Sequence, residues 1–154
     1  MNDKIEITVD AIVHATEDIS KIFQAFEILE LQEDDFTINE TTGHFDNPIT
    51  ILNAKITKKQ ALNFVKRLVE LLPQEQIDEL IDEIEERTVD SRFHMRLDKQ
   101  ELVNGNVTIS EKDTIKIKIH TPIYNKKDTV KTFTEIFQIA NRFWFSGLEF
   151  GYND

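Results

Sequence analysis

The chain contains no cysteine, which excludes disulfide staples and thiolate metal sites and suits a reducing cytoplasm. Three prolines and four glycines in 154 residues leave little material for flexible linkers. One domain over residues 1–154 is therefore expected, with 146–154 as a packed extension. No apolar run approaches the roughly 20 residues that a membrane helix needs. The first residues, Asn2, Asp3 and Lys4, precede no apolar segment of the signal-peptide kind. Positive charge is scarce too: 18 Lys and Arg stand against 29 Asp and Glu, a net of −11. A chain of that balance is, as a whole, a poor ligand for phosphate polymers.

The charge is unevenly distributed, however. Residues 1–91 carry 8 basic and 21 acidic side chains, a net of −13, whereas 92–131 carry 9 and 5, a net of +4. Half of the cations thus fall in 40 residues, enough for a local basic patch on an acidic protein. Hydrophobic residues make up 40% and charged residues 31% of the chain, and 11 phenylalanines promise a ring-rich core.

Periodicity places the elements. Ile5, Ile7, Val9, Ala11 and Val13 alternate with polar residues as a half-buried strand. Thr16 is positioned to cap a helix carrying Ile19, Ile22, Phe23 and Phe26 at helical spacing. Phe36 and Ile38 begin a second strand, Gly43 to Pro48 reads as a turn, and 49–56 as a third strand. Thr57 with Gln60 predicts a capping box for a helix with Leu62, Val65, Leu68, Val69 and Leu72 on its buried face. After Pro73 a further helix buries Ile77, Leu80, Ile81 and Ile84, and its other face is acidic over 75–86. Phe93, Met95 and Leu97 alternate with Arg92, His94 and Arg96. Asn104-Gly105 reads as a hairpin turn leading to a short strand at Val107 and Ile109. Ile115, Ile117 and Ile119 alternate with Lys116, Lys118 and His120. Asn125 is expected to cap a last helix reaching Phe145, with Val130, Phe133, Phe137, Ala140 and Trp144 aligned. Leu148, Phe150 and Tyr152 alternate in the tail. The sum is an α+β fold: one antiparallel sheet, mixed pairing being possible, of about six strands with four helices on one face. The other face is at least partly open to water.

No phosphate-binding loop, dinucleotide fingerprint, nucleophile elbow or paired-histidine metal motif is present. His14, His44, His94 and His120 are scattered, so neither a metal nor a cofactor is expected. The outward cations Arg92, Arg96, Lys116 and Lys118, with Lys99, Lys126 and Lys127 at the rim, are either an ordinary solvated face or a phosphate-binding surface. The acidic helix 75–86 is either solvated or a dock for a basic partner.

Three short segments carry a family resemblance: Val13-His14-Ala15-Thr16-Glu17-Asp18, Gly43-His44-Phe45-Asp46-Asn47-Pro48-Ile49, and Arg96-Leu97-Asp98-Lys99-Gln100. In order and spacing they resemble the archaeal family of predicted RNA-binding proteins or exosome subunits, whose fold is similar to that of ribosomal protein L5. The resemblance spans nearly the whole chain, with one departure, Asp46 in place of the family's usual glycine. It implies RNA binding, in RNA processing or ribosome- or exosome-associated metabolism, and the lack of any enzyme motif makes a non-catalytic role the expectation. The expected RNA contacts are Arg92, Arg96, Lys99, Lys116 and Lys118 for charge, with His44, Asn47 and Gln100 for hydrogen bonds. The alternative is a protein-interaction adaptor that uses the acidic helix or the aromatic C-terminus. The three segments are expected to meet at one end of the sheet.

Overall fold

The computed structural model describes residues 4–138, the side chain of His44 excepted. Ala140, Trp144, Phe145 and the alternating tail lie outside the described residues. The elements are β1 (Glu6–His14), α1 (Ile19–Phe26), β2 (Phe36–Thr42), β3 (Pro48–Thr57), α2 (Lys58–Leu71), α3 (Gln74–Asp82), α4 (Ile84–Arg87), β4 (Thr88–Val89), β5 (Arg92–Asp98), α5 (Lys99–Val103), β6 (Thr114–His120) and α6 (Thr129–Phe137). The strands form one six-stranded sheet in the order β2-β3-β1-β6-β5-β4, and every pair is antiparallel.

The pleat sorts the side chains. Ile5, Ile7, Val9, Ala11 and Val13 of the first strand segment are buried, as are Phe93, Met95 and Leu97 and the three isoleucines of β6. All lie on the face covered by helices, because residues two apart share a face. There α2 packs on β1 and β3, α4 on β5, and α6 across α2, α3 and α4. Rings join the layers: Phe26 meets Phe36 at 4.7 Å between centroids, and Phe93 meets Phe133 at 5.6 Å and Phe137 at 4.9 Å.

Several local expectations give way to stronger local chemistry. Asp18, not Thr16, caps α1. Its carboxylate accepts from the Ser20 amide at 3.0 Å and the Ser20 hydroxyl at 2.6 Å, and these bonds hold it below the usual carboxylate range. Thr57 precedes α2 but its side chain caps nothing, so the Thr57–Gln60 box does not form. The helix after Pro73 breaks at Glu83 into α3 and α4, which leaves Ile81 half-buried. Asn104-Gly105 does not turn a hairpin. It ends α5, with Gly105 at φ +89° donating its N–H to the Leu102 carbonyl. Ile109 then makes a single bridge to Leu97 instead of a strand, and the sixth strand is the two-residue β4. Asn125 caps a turn of 3-10 helix at Lys126–Asp128, and α6 starts only at Thr129. That start turns Val130 outward and Ile136 inward.

These assignments predict which truncations matter. Phe26→Ala or Phe133→Ala removes a fully buried ring and should cost about 3–5 kcal/mol in chemical denaturation. Val130→Ala, at a half-open position, should stay within about 0.5 kcal/mol.

Candidate functional site

The uncovered sheet face is divided by charge. Strand register sets Arg92 opposite His120, His94 opposite Lys118 and Arg96 opposite Lys116. Six basic or titratable side chains of β5 and β6 therefore share one half of the face. Along each strand they repeat at roughly 6.8 Å, and the two strands lie about 4.8 Å apart. The neighbouring strand β1 contributes carboxylates: Glu6 stands opposite His120 and Asp10 opposite Lys116. Both turn the other way. Glu6 pairs with Lys55 of β3 at 2.7 Å, an interaction that lowers its pKa, and Asp10 accepts from the Asn53 side-chain amide.

Lys116 and Lys118 consequently take part in no ion pair among the described residues, and Arg96 reaches only the exposed Glu111 at 3.9 Å. His94 is pushed below its ordinary value of 6.5, first by burial and then by Lys118, Arg92 and Arg96. Its charge therefore arrives at lower pH than an unperturbed histidine would bring it.

A cavity of about 440 Å³ opens between these cations and the sheet edge, lined by Arg87, His94, Arg96, Lys116 and Lys118 together with the carboxylates of Glu86 and Glu111. Sequence reasoning misses Arg87. It follows six carboxylates in the acidic run 78–86, so by position it belongs to the acidic part of the chain. Its guanidinium pairs with Glu83 at 3.3 Å and donates to the His94 carbonyl at 3.4 Å, while its buried Nε makes no hydrogen bond.

Two of the three family-like segments meet directly. The Lys99 ammonium is 1% exposed and donates to the Ile12 carbonyl (2.6 Å), Glu17 (2.8 Å) and Asp113 (3.0 Å). Glu17 also accepts from the His14 amide at 2.9 Å and from the Gln100 side chain at 3.1 Å. Asp98 caps α5 by accepting from the Glu101 amide. Lys99 therefore does not stand at the rim of the basic face as expected. It is enclosed by two carboxylates and a carbonyl, because the chain turns inward at the start of α5. Gln100 is likewise engaged with Glu17.

The third segment lies at the same end of the sheet, joined to β1 through the His14–Ile49 pair. It is a hairpin tip in which the Gly43 amide donates to the Asn47 carbonyl at 2.7 Å. Asn47 is exposed there. Phe45 and Asp46 both adopt left-handed backbone, at φ +59° and +60°. Asp46, the residue departing from the family's glycine, thus occupies a conformation that glycine adopts without penalty.

Comparison with known proteins agrees with this architecture. Residues 6–121 match the family described as RNA binding. An RNA-binding protein of Pyrococcus abyssi is 33% identical over 139 residues, covering 84% of this chain and 90% of its own. An uncharacterised protein of Methanocaldococcus jannaschii is 34% identical over 137 residues, covering 81% and 91%. A crystal structure of a DUF54 protein from Archaeglobus fulgidus superposes with a TM-score of 0.73 at 31% identity, covering 86% of this chain and 99% of that one.

Two consequences follow for stability. Lys99→Ala removes the cation of the part-buried Glu17, while Asp113, nearly half exposed, regains water, so the loss should be about 1.5–3 kcal/mol. In a double-mutant cycle with Glu17→Ala, the coupling should be large because the two groups touch. For His94 the folded pKa lies below the unfolded one, so its contribution is complete above 6.5 and is lost as pH falls through the folded value. His94→Gln should therefore lose less stability than wild type between about pH 7 and about pH 5, read from urea midpoints.

Proposed function

The chain belongs to the family described as RNA binding, and on that premise we propose that it binds RNA through the β5–β6 half of its open sheet face. The observation that carries this reading is the in-register double row of Arg92, His94, Arg96 and Lys116, Lys118, His120, beside carboxylates already engaged by β3. Cations held on a fixed pleat are suited to backbone phosphates, which position RNA without reading its sequence. The target is structured RNA, and the hairpin tip with Asn47 and His44 supplies hydrogen bonds at the end of the face. Lys99 and Gln100 act beneath it as supports. The role is binding, not catalysis, in a cytoplasmic RNA-processing or ribosome- or exosome-associated setting, with a fold kinship to ribosomal protein L5.

A second reading has its own observation. Glu75, Asp78, Glu79, Asp82, Glu85 and Glu86 are all exposed along α3 and α4, a surface to which a basic protein partner would be attracted.

Charge reversal separates the two. Lys116→Glu with Lys118→Glu should leave folding intact, since Lys116 is exposed and Lys118 half-exposed on the open face and surface changes usually stay within about 0.5 kcal/mol each. Affinity should fall for all RNA sequences alike, and the salt slope should become shallower by about one unit per lost phosphate contact. A folded double variant with unchanged affinity and slope would end the phosphate reading and favour the adaptor.

A further inference from the structure

Phe45 is 94% exposed, whereas Phe23, Phe26, Phe36, Phe64, Phe93, Phe133 and Phe137 are buried. In a protein that places its other described phenylalanines in the core, this ring is held out on the β2–β3 hairpin tip by two successive left-handed residues. The surface beside it is apolar as well. Ile12 is 45% exposed and lies opposite Ile51 in the register, on the open face, while Ile49 follows opposite His14. A Cβ at Gly43 would come within 3.3 Å of Ile49, so the base of the tip abuts the end of this patch.

The patch is continuous with the cationic half. Asp10 faces Lys116 across the β1–β6 ladder, and Ile12 is the next residue of β1 on the same side. By strand geometry Ile12 lies roughly one strand across and 6.8 Å along from Lys116, and Ile49 and Ile51 lie one strand further, on β3.

We propose that Phe45 and the Ile12–Ile49–Ile51 patch form a stacking site for unpaired RNA bases of a strand that continues across β1 onto the β5–β6 cations. This rests on the RNA reading above and specifies the ligand: a duplex or fold that ends in, or is interrupted by, single-stranded nucleotides. Bases inside a duplex have both faces covered by their neighbours and offer nothing to a ring, whereas an unpaired base offers a π-face that any aromatic accepts. Ile12, Ile49 and Ile51 carry no charge and suit bases and sugars, and the exposed Asp46 carboxylate next to Phe45 disfavours a phosphate at the tip itself. The adjoining cations match the one negative charge per nucleotide that RNA carries along its backbone. Because stacking is tolerant of sequence, the site selects for unpairedness and not for a particular base.

The test compares one blunt RNA duplex with the same duplex bearing a short single-stranded overhang, titrated against the full chain, Phe45→Ala, Phe45→Trp and the Lys116→Glu/Lys118→Glu variant. Expected is tighter binding of the overhang RNA by wild type. Phe45→Ala should lose about tenfold on the overhang RNA with the blunt duplex unchanged, and Phe45→Trp should restore the preference. The reversed-charge variant should weaken on both RNAs. No preference for the overhang, or an overhang affinity indifferent to Phe45→Ala, overturns the stacking site while leaving the phosphate face standing, provided the reversed-charge variant still weakens. Wild type binding neither RNA overturns both. Sedimentation supplies the remaining outcome: self-association abolished by Phe45→Ala assigns the patch to a second copy and overturns the proposal.

Discussion

The Lys99 ammonium is the contact on which the open face depends. The β1–β6 ladder ends at Asp10, and two residues later the Ile12 carbonyl is received by Lys99 Nζ. The same nitrogen holds Glu17, ahead of α1, and Asp113, just ahead of β6. One buried cation thus ties the end of β1, the start of α5 and the approach to β6. A charge taken so far from water survives only when its bonds are satisfied, and here three oxygens do so. Removing that charge from water offsets much of its attraction to the carboxylates, but its bonds fix where three separate segments meet.

That clamp bears on function through register. If β6 slipped by one residue against β5 or β1, Lys116, Lys118 and His120 would move to the helix-covered side, since the side-chain period of a strand is two. Asp113 is positioned by Lys99 one residue before β6 begins. The clamp therefore acts where slippage would start. The division of the open face has a similar origin. Glu6 and Asp10 face β6 cations in the register, yet their carboxylates go to Lys55 and Asn53 on the other side. Lys116 and Lys118 stay without an ion pair among the described residues because β3 offers the β1 carboxylates nearer partners.

Alternation was legible wherever one side of a strand is covered and the other wet, which is why β1, β5 and β6 could be read residue by residue. Legibility failed where a segment's partners are remote. Val107 and Ile109 look like a strand, but the single Leu97–Ile109 bridge leaves no room for a ladder. Thr88 and Val89 have no visible period, yet the hairpin through Asp90 and Ser91, both at positive φ, brings them onto β5. The departures at helix caps have one cause: several residues near a helix start are competent to cap, and only the backbone path selects among them, as with Asp18 over Thr16.

By itself the sequence determined the α+β class, the inward and outward faces of the regular strands, the segregation of cations after residue 91, and the family-like segments, because each is a property of neighbours along the chain. Tertiary structure alone decided which cations are free to act. Lys99 sits among basic residues in sequence and looks like one more phosphate contact, but the turn into α5 delivers it to carboxylates 82 residues before it and 14 after it. Arg87 sits in an acidic run and lines the cavity beside the basic rows, and Phe45, indistinguishable by type from the core rings, is held outside by a backbone geometry that no periodicity encodes. Charge and apolarity are carried by the residue, but burial and partnership are set by which distant segments the fold brings alongside it.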